Sequence, residues 1–92
     1  MKTLSESAIT IALETLNDWS FIKNALEKKF QFNDFKQALG FIVQIGTLAE
    51  KANHHPELFN VYNKITIRLN THDANGVTQK DLDLAKAIDE IL

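Results

Sequence analysis

All three histidines of this 92-residue chain fall in two short stretches, Asn53-His54-His55-Pro56 and Asn70-Thr71-His72-Asp73. Imidazole is the one side chain whose unperturbed titration lets it give and take protons near neutral pH, so gathering every copy at two loop-like junctions predicts acid/base chemistry. Glu50 precedes His54 by one helical turn, which predicts that its carboxylate accepts the ring N–H of His54 and fixes the tautomer. The plainer readings are a solvent-facing helix glutamate and two histidines that suit the negative end of a helix dipole.

Three imidazoles also suggest zinc. The spacing argues against it, because ligands on a helix recur at i, i+3 or i, i+4 and on a strand at i, i+2, whereas His54 and His55 are adjacent and precede a proline. No metal and no organic cofactor is expected. Asp81 fits the N3 place of a helix cap and Asp73 a solvated turn; either could also orient His72 or a substrate. Asn70 and Thr71 offer short polar groups where a strand opens into a loop. There is no glycine-rich phosphate loop, no nucleotide fingerprint and no Ser-His-Asp order.

The elements that must position these residues follow from periodicity. Ser5 caps a first helix of about ten residues carrying Ala8, Ile9, Ala12, Leu13 and Leu16, finished by Asn17-Asp18. Trp19 and Phe21, then Leu26, Phe30 and Phe32, alternate with polar residues and predict a strand pair turning near Lys23-Asn24-Ala25. Asn33 or Asp34 opens the longest helix, from Phe35 to about Asn53, ended by Pro56. Its apolar residues sweep roughly 220° of the wheel, where one sheet face needs only about 100° or somewhat more, so part of that arc needs a second partner. From this arc, Phe41, Val43 or Leu48 is expected partly outside the subunit's own core.

After Pro56, residues 58–62 and the alternating Ile65, Ile67 and Leu69 predict a second hairpin turning at Asn63. Asn75-Gly76 signals a turn, and Thr78 with Asp81 resembles a capping box for a last helix over 82–91. The predicted order is α-β-β-α-β-β-α: an α+β fold with helices on one face of a four-stranded antiparallel sheet, built as one domain over residues 1–92. Trp19 and Tyr62 are expected to be core or interface aromatics.

Ten basic and twelve acidic side chains, with no basic cluster longer than Lys28-Lys29, argue against nucleic acid as the main ligand. The absence of cysteine removes a disulfide framework and a thiolate nucleophile and fits a reducing compartment, the cytoplasm by default. The N-terminal Met1-Lys2-Thr3-Leu4 has no apolar stretch behind it, and no run approaches a membrane span, so a soluble, unexported chain is expected. A chain this short buries only roughly 60–65% of its unfolded surface, which makes self-association a reasonable expectation.

The run Glu50-Lys51-Ala52-Asn53-His54-His55-Pro56, then Tyr62, Thr71-His72 and Asp81 resembles the signature of pterin-4a-carbinolamine dehydratases. His55-Pro56-Glu57, Phe59-Asn60-Val61-Tyr62-Asn63-Lys64 and Leu84-Ala85 extend the likeness over nearly the whole chain. The resemblance implies a small α+β enzyme that dehydrates 4a-hydroxytetrahydropterin to the quinonoid dihydropterin, recycling the cofactor of aromatic amino acid hydroxylases. It implies acid/base roles for His54, His55 and His72, and pterin contacts from Asn53, His54, His55, Asn70, Thr71, His72 and Asp73. Glu50, Pro56 and Asp81 fall on supporting positions. It also implies a homodimer built by edge-strand pairing, or a homotetramer of such dimers joined through helices. Leu58 departs from the family pattern, which carries tryptophan there, and that puts the pocket wall in question. The alternative is a dimerisation or transcription-cofactor module on the same fold, for which the histidine trio would have no use.

Overall fold

A computed structural model, described over residues 2–92, has helix α1 (Glu6–Leu13), strands β1 (Ser20–Ile22) and β2 (Ala25–Gln31), helix α2 (Phe35–Ala52), strands β3 (Glu57–Val61) and β4 (Lys64–Leu69), and helix α3 (Gln79–Glu90). A single 3-10 turn, His72–Ala74, separates β4 from α3. The strands form one antiparallel sheet in the order β1-β2-β4-β3, which leaves β1 and β3 at its edges. The α-β-β-α-β-β-α order and the fold class are those expected. Among the described residues no helix is long and apolar enough to cross a membrane.

Local chemistry sets the element ends. The Ser5 hydroxyl accepts from Ala8 N at 3.1 Å and the Asp34 carboxylate from Gln37 N at 2.8 Å, each satisfying an otherwise orphaned amide of the first helical turn. Both hairpins turn through left-handed residues, Lys23 and Asn24 (φ 50° and 62°) in the first and Tyr62 (φ 52°) in the second. Two boundaries and one side-chain placement differ from expectation. Helix α1 stops at Leu13 and the chain continues in i→i−3 turns to Leu16. Helix α3 begins at Gln79, not residue 82, because a capping box at Thr78 makes Asp81 the third helical residue. Tyr62 sits at the tip of the β3–β4 turn and is exposed, so within the subunit it is no core aromatic.

The core lies between the sheet and its three helices. Leu26 and Phe30 of β2 and Ile65, Ile67 and Leu69 of β4 alternate toward Ile9 of α1, Phe41 and Ile45 of α2, and Leu84 and Ile88 of α3. Phe41 is 5% exposed, its ring centroid 5.1 Å from Phe30 and 5.0 Å from Phe32, so of the three residues offered as lying partly outside the core it is the one that belongs inside. Val43 is 69% exposed and Leu48 is half-buried, as the wide apolar arc predicted. The opposite sheet face carries the Arg68–Glu27 ion pair, 2.9 Å long, across β4 and β2.

Lys28 breaks the simple alternation, since it shares the inward parity of Leu26 and Phe30. Its Nζ meets Asp89 Oδ1 at 2.8 Å with both side chains about nine-tenths buried, and the Trp19 indole N–H donates to the same carboxylate at 3.0 Å. The ammonium also stands 5.1 Å from the centre of the Phe30 ring. Removing one partner of a buried pair strands the other charge, so Lys28→Met is expected to destabilise the fold by about 3 kcal/mol. Urea denaturation checks this; a loss below about 1 kcal/mol would mean water already reaches the pair.

Candidate functional site

The last turn of α2 decides where the histidines go. Asn53 adopts the left-handed conformation (φ 50°, ψ 44°), its N–H bonds Glu50 O at 3.2 Å, and the N–H of His54 reaches back to Ala49 O at 3.1 Å. This is a Schellman ending, in which a residue with φ above zero reverses the chain and the last carbonyls are satisfied. Asparagine is among the few side chains that accept that conformation readily. The reversal sends consecutive imidazoles to different environments. His54 is 9% exposed and its Nε2 lies 2.5 Å from Asp81 Oδ1, while His55 is exposed and its Nε2 meets Glu50 Oε2 at 2.6 Å. Glu50 therefore partners His55, not His54 as helical spacing predicts, and Asp81 is the carboxylate that orients His54.

Asp81 is fully buried, and both of its oxygens are hydrogen-bonded. Oδ2 accepts from the Thr71 hydroxyl at 2.8 Å and from Thr78 N at 2.9 Å. Because the Thr71 hydroxyl spends its proton on Asp81, it accepts from the Thr78 hydroxyl at 2.7 Å, which in turn accepts from Lys80 N at 3.3 Å. With Asp81 as a carboxylate, both of its oxygens accept, and Oδ1 does so from His54 Nε2. That assigns His54 the Nε2–H tautomer and leaves Nδ1 as its free nitrogen. The arrangement is a helix cap and an imidazole clamp at once, and the imidazole it holds is His54, not the His72 weighed from sequence. Among the described residues no buried side-chain nitrogen or oxygen lacks a partner.

The 3-10 turn carries His72, exposed, with Asn75 closing it in the left-handed region (φ 55°). Two contacts fasten this loop to the β1–β2 turn: the Asn70 amide donates to Asn24 O at 2.6 Å, and the Asn24 amide donates to Asn75 O at 3.0 Å. The N-terminal segment lies across it, with Leu4 N on Val77 O at 2.8 Å. A Cβ at Gly76 would fall 2.6 Å from Cγ2 of the exposed Thr3 side chain, which would have to shift to admit it.

The two histidine stretches meet in one shallow depression of about 240 Å³ lined by Asn53, His54, His55, Asn70, Thr71, His72 and Asp73, with Lys80 beside them. These seven are the residues for which the family resemblance implies pterin contact. Glu50, Pro56 and Asp81 stand outside the lining, where Glu50 and Asp81 hold histidines from behind. Leu58 does not line it either; it borders a separate concavity with Glu57, Phe59, Thr66 and Arg68. Lys80 escaped the sequence reading; its place one residue before the capping Asp81, at the start of α3, was the available signal. Among the described residues no three His, Cys, Asp or Glu side chains are grouped to hold a metal ion.

Fold and site together describe a small α+β protein with a histidine-lined polar depression in which carboxylates hold His54 and His55. Residues 2–91 match the family model for pterin 4 alpha carbinolamine dehydratase. A protein of Sulfurisphaera tokodaii assigned by name to pterin-4-alpha-carbinolamine dehydratase is 45% identical over 92 residues, covering 100% of this chain and 99% of its own. A like-named protein of Solibacter usitatus is 47% identical over 88 residues, covering 96% and 93%. The crystal structure of a transcriptional coactivator/pterin dehydratase from Brucella melitensis superposes with a TM-score of 0.93 at 40% identity, covering 98% of each chain. A pterin dehydratase-like RuBisCO assembly factor of the alpha-carboxysome shares the fold alone, with a TM-score of 0.68 at 20% identity over 82% of this chain and 89% of its own. The chain belongs to the pterin-4a-carbinolamine dehydratase family.

Proposed function

We propose that the depression binds a 4a-hydroxytetrahydropterin and that its histidines catalyse loss of water to give the quinonoid dihydropterin. The observation that carries this reading is the meeting of Asn53, His54, His55, Asn70, Thr71, His72 and Asp73 in one place. The C4a–O bond breaks as its oxygen takes a proton from an acid; the N5 lone pair forms the C4a=N5 bond, and N5 gives its proton to a base. One proton is delivered and one removed, so the protein's net charge is unchanged, and proton exchange with solvent returns the acid and the base to their starting forms. His54, restrained by Asp81, and His72, on the opposing loop, are the proposed pair, with His55 beside them. Asn70, Thr71 and Asp73 offer hydrogen bonds to the polar edge of a bicyclic ring, and holding that ring is itself a large part of the rate gain.

In this reading the product feeds the regeneration of a pterin used by an aromatic amino acid hydroxylase. The direct test follows the absorbance decay of freshly generated 4a-hydroxytetrahydropterin with and without protein; equal rates would reject the function. Proton exchange of this kind asks nothing of a Lewis acid, so the rate is expected to survive exhaustive chelation within about twofold. Loss on chelation restored by zinc would revive a metal reading. We also propose that the subunit self-associates, supported by the exposed apolar stripe of α2 and by the open edge of β3.

A further inference from the structure

The histidine depression does not end at Lys80. A second concavity, of about 390 Å³, adjoins it between the C-terminal turns of α2 and the first turns of α3, and the two share His54 and Lys80. Its apolar lining is Leu48 and Ala52 from one helix and Leu84 and Ala87 from the other. Lys51 and Lys80 line it from the two sides, both exposed, and among the described residues neither joins an ion pair with an acidic side chain. Asp83 is the one acidic group in the lining, and it already accepts from the Gln79 amide at 2.9 Å.

An apolar floor with two free ammonium groups suits an elongated group whose body is aromatic or aliphatic and whose end is an anion. A solvent-filled surface groove would have no need to adjoin the reacting site, but this one continues it through two shared residues. We propose that this groove is a subsite for the C6 substituent of the pterin, and that it favours a substituent with an aryl body ending in a carboxylate over a short neutral one. The inference rests on the pterin reading of the histidine site. Lys80, at the junction, contacts both parts of such a ligand. Lys51, which lines only the outer groove, selects for the anionic end.

The test compares dissociation constants of three stable dihydropterins that differ only at C6: 6-methyl-7,8-dihydropterin, 7,8-dihydrobiopterin and 7,8-dihydrofolate. Dihydrofolate is expected to bind about tenfold more tightly than the 6-methyl compound, the combined yield of partial apolar burial and one exposed ion pair. Dihydrobiopterin, with a neutral substituent, gains little. The dihydrofolate advantage shrinks as salt is raised from about 0.05 M to 0.5 M. Lys51→Glu removes the advantage while leaving 6-methyl-7,8-dihydropterin affinity and 4a-hydroxy-6-methyltetrahydropterin turnover unchanged. Equal affinities for the three ligands would overturn the subsite with the dehydratase reading intact. So would an advantage indifferent to Lys51→Glu, or a variant that changes only the subunit's association state, which would make the groove a contact between copies. No binding by any of the three, with no turnover of the 6-methyl substrate, would overturn both readings.

Discussion

His54→Ala and His72→Ala are each expected to lower the dehydration rate, measured above the spontaneous reaction, by roughly 10²-fold or more. The structure separates the two in every other respect. His72 is exposed on a 3-10 turn, so its loss should leave stability within about 0.5 kcal/mol of the parent. His54 is buried against a fully buried carboxylate, and its removal leaves Asp81 Oδ1 without its donor. A stranded buried acceptor costs about 1–3 kcal/mol, so His54→Ala should also lower the urea midpoint. The combination distinguishes lost chemistry from lost folding, because a variant with native stability and a collapsed rate can only have lost a working group. Near wild-type rates in both variants at matched folding would reject the proton-transfer roles. His55→Ala provides a contrast, since its pairing with Glu50 is exposed and largely screened by water.

Most of the architecture was legible because its signals are local. Ile65, Ile67 and Leu69 alternate where the strand is half-buried, Lys23-Asn24 and Asn75 mark turns, and the Thr78–Asp81 pair announces α3 even though the helix begins three residues earlier than its apolar pattern suggests. The site was legible as a set of residues but not as a wiring diagram. A one-turn spacing between Glu50 and His54 implies contact only while the helix continues, and the left-handed Asn53 ends it one residue too soon. The true partner of His54 lies 27 positions away, at a distance no helical wheel reports. Phe41 illustrates the same limit: the wheel gives its direction, whereas its burial comes from Phe30 and Phe32, which close over it from β2 and the loop that follows. Lys28 had the parity of a core residue and the chemistry of a surface one, and only Asp89 and Trp19, from α3 and the segment before β1, reconcile them.

Val43→Glu is expected to shrink the oligomer before it unfolds the subunit. Phe35, Leu39 and Val43 recur every four residues along α2 and are 46%, 43% and 69% exposed, forming an apolar stripe that this subunit's sheet does not cover. At the sheet edge, Leu58, Phe59 and Val61 of β3 are 39%, 66% and 56% exposed beside unpaired backbone groups. Pairing two β3 edges about a two-fold axis would satisfy that backbone, and apposing two α2 stripes would bury the surplus arc. In a two-fold interface the same side chain appears on both partners, so one substitution places two carboxylates in a single contact and removes two valines from it. Each buried valine side chain is worth about 1.5 kcal/mol or more, before the added cost of the charges. Light scattering should therefore show a parent assembly larger than one subunit at micromolar concentration and a smaller Val43→Glu species. The variant's subunit fold should persist, because Val43 makes no part of the core cluster. A parent that scatters as a monomer at that concentration would defeat the proposal and leave the stripe as exposed surface.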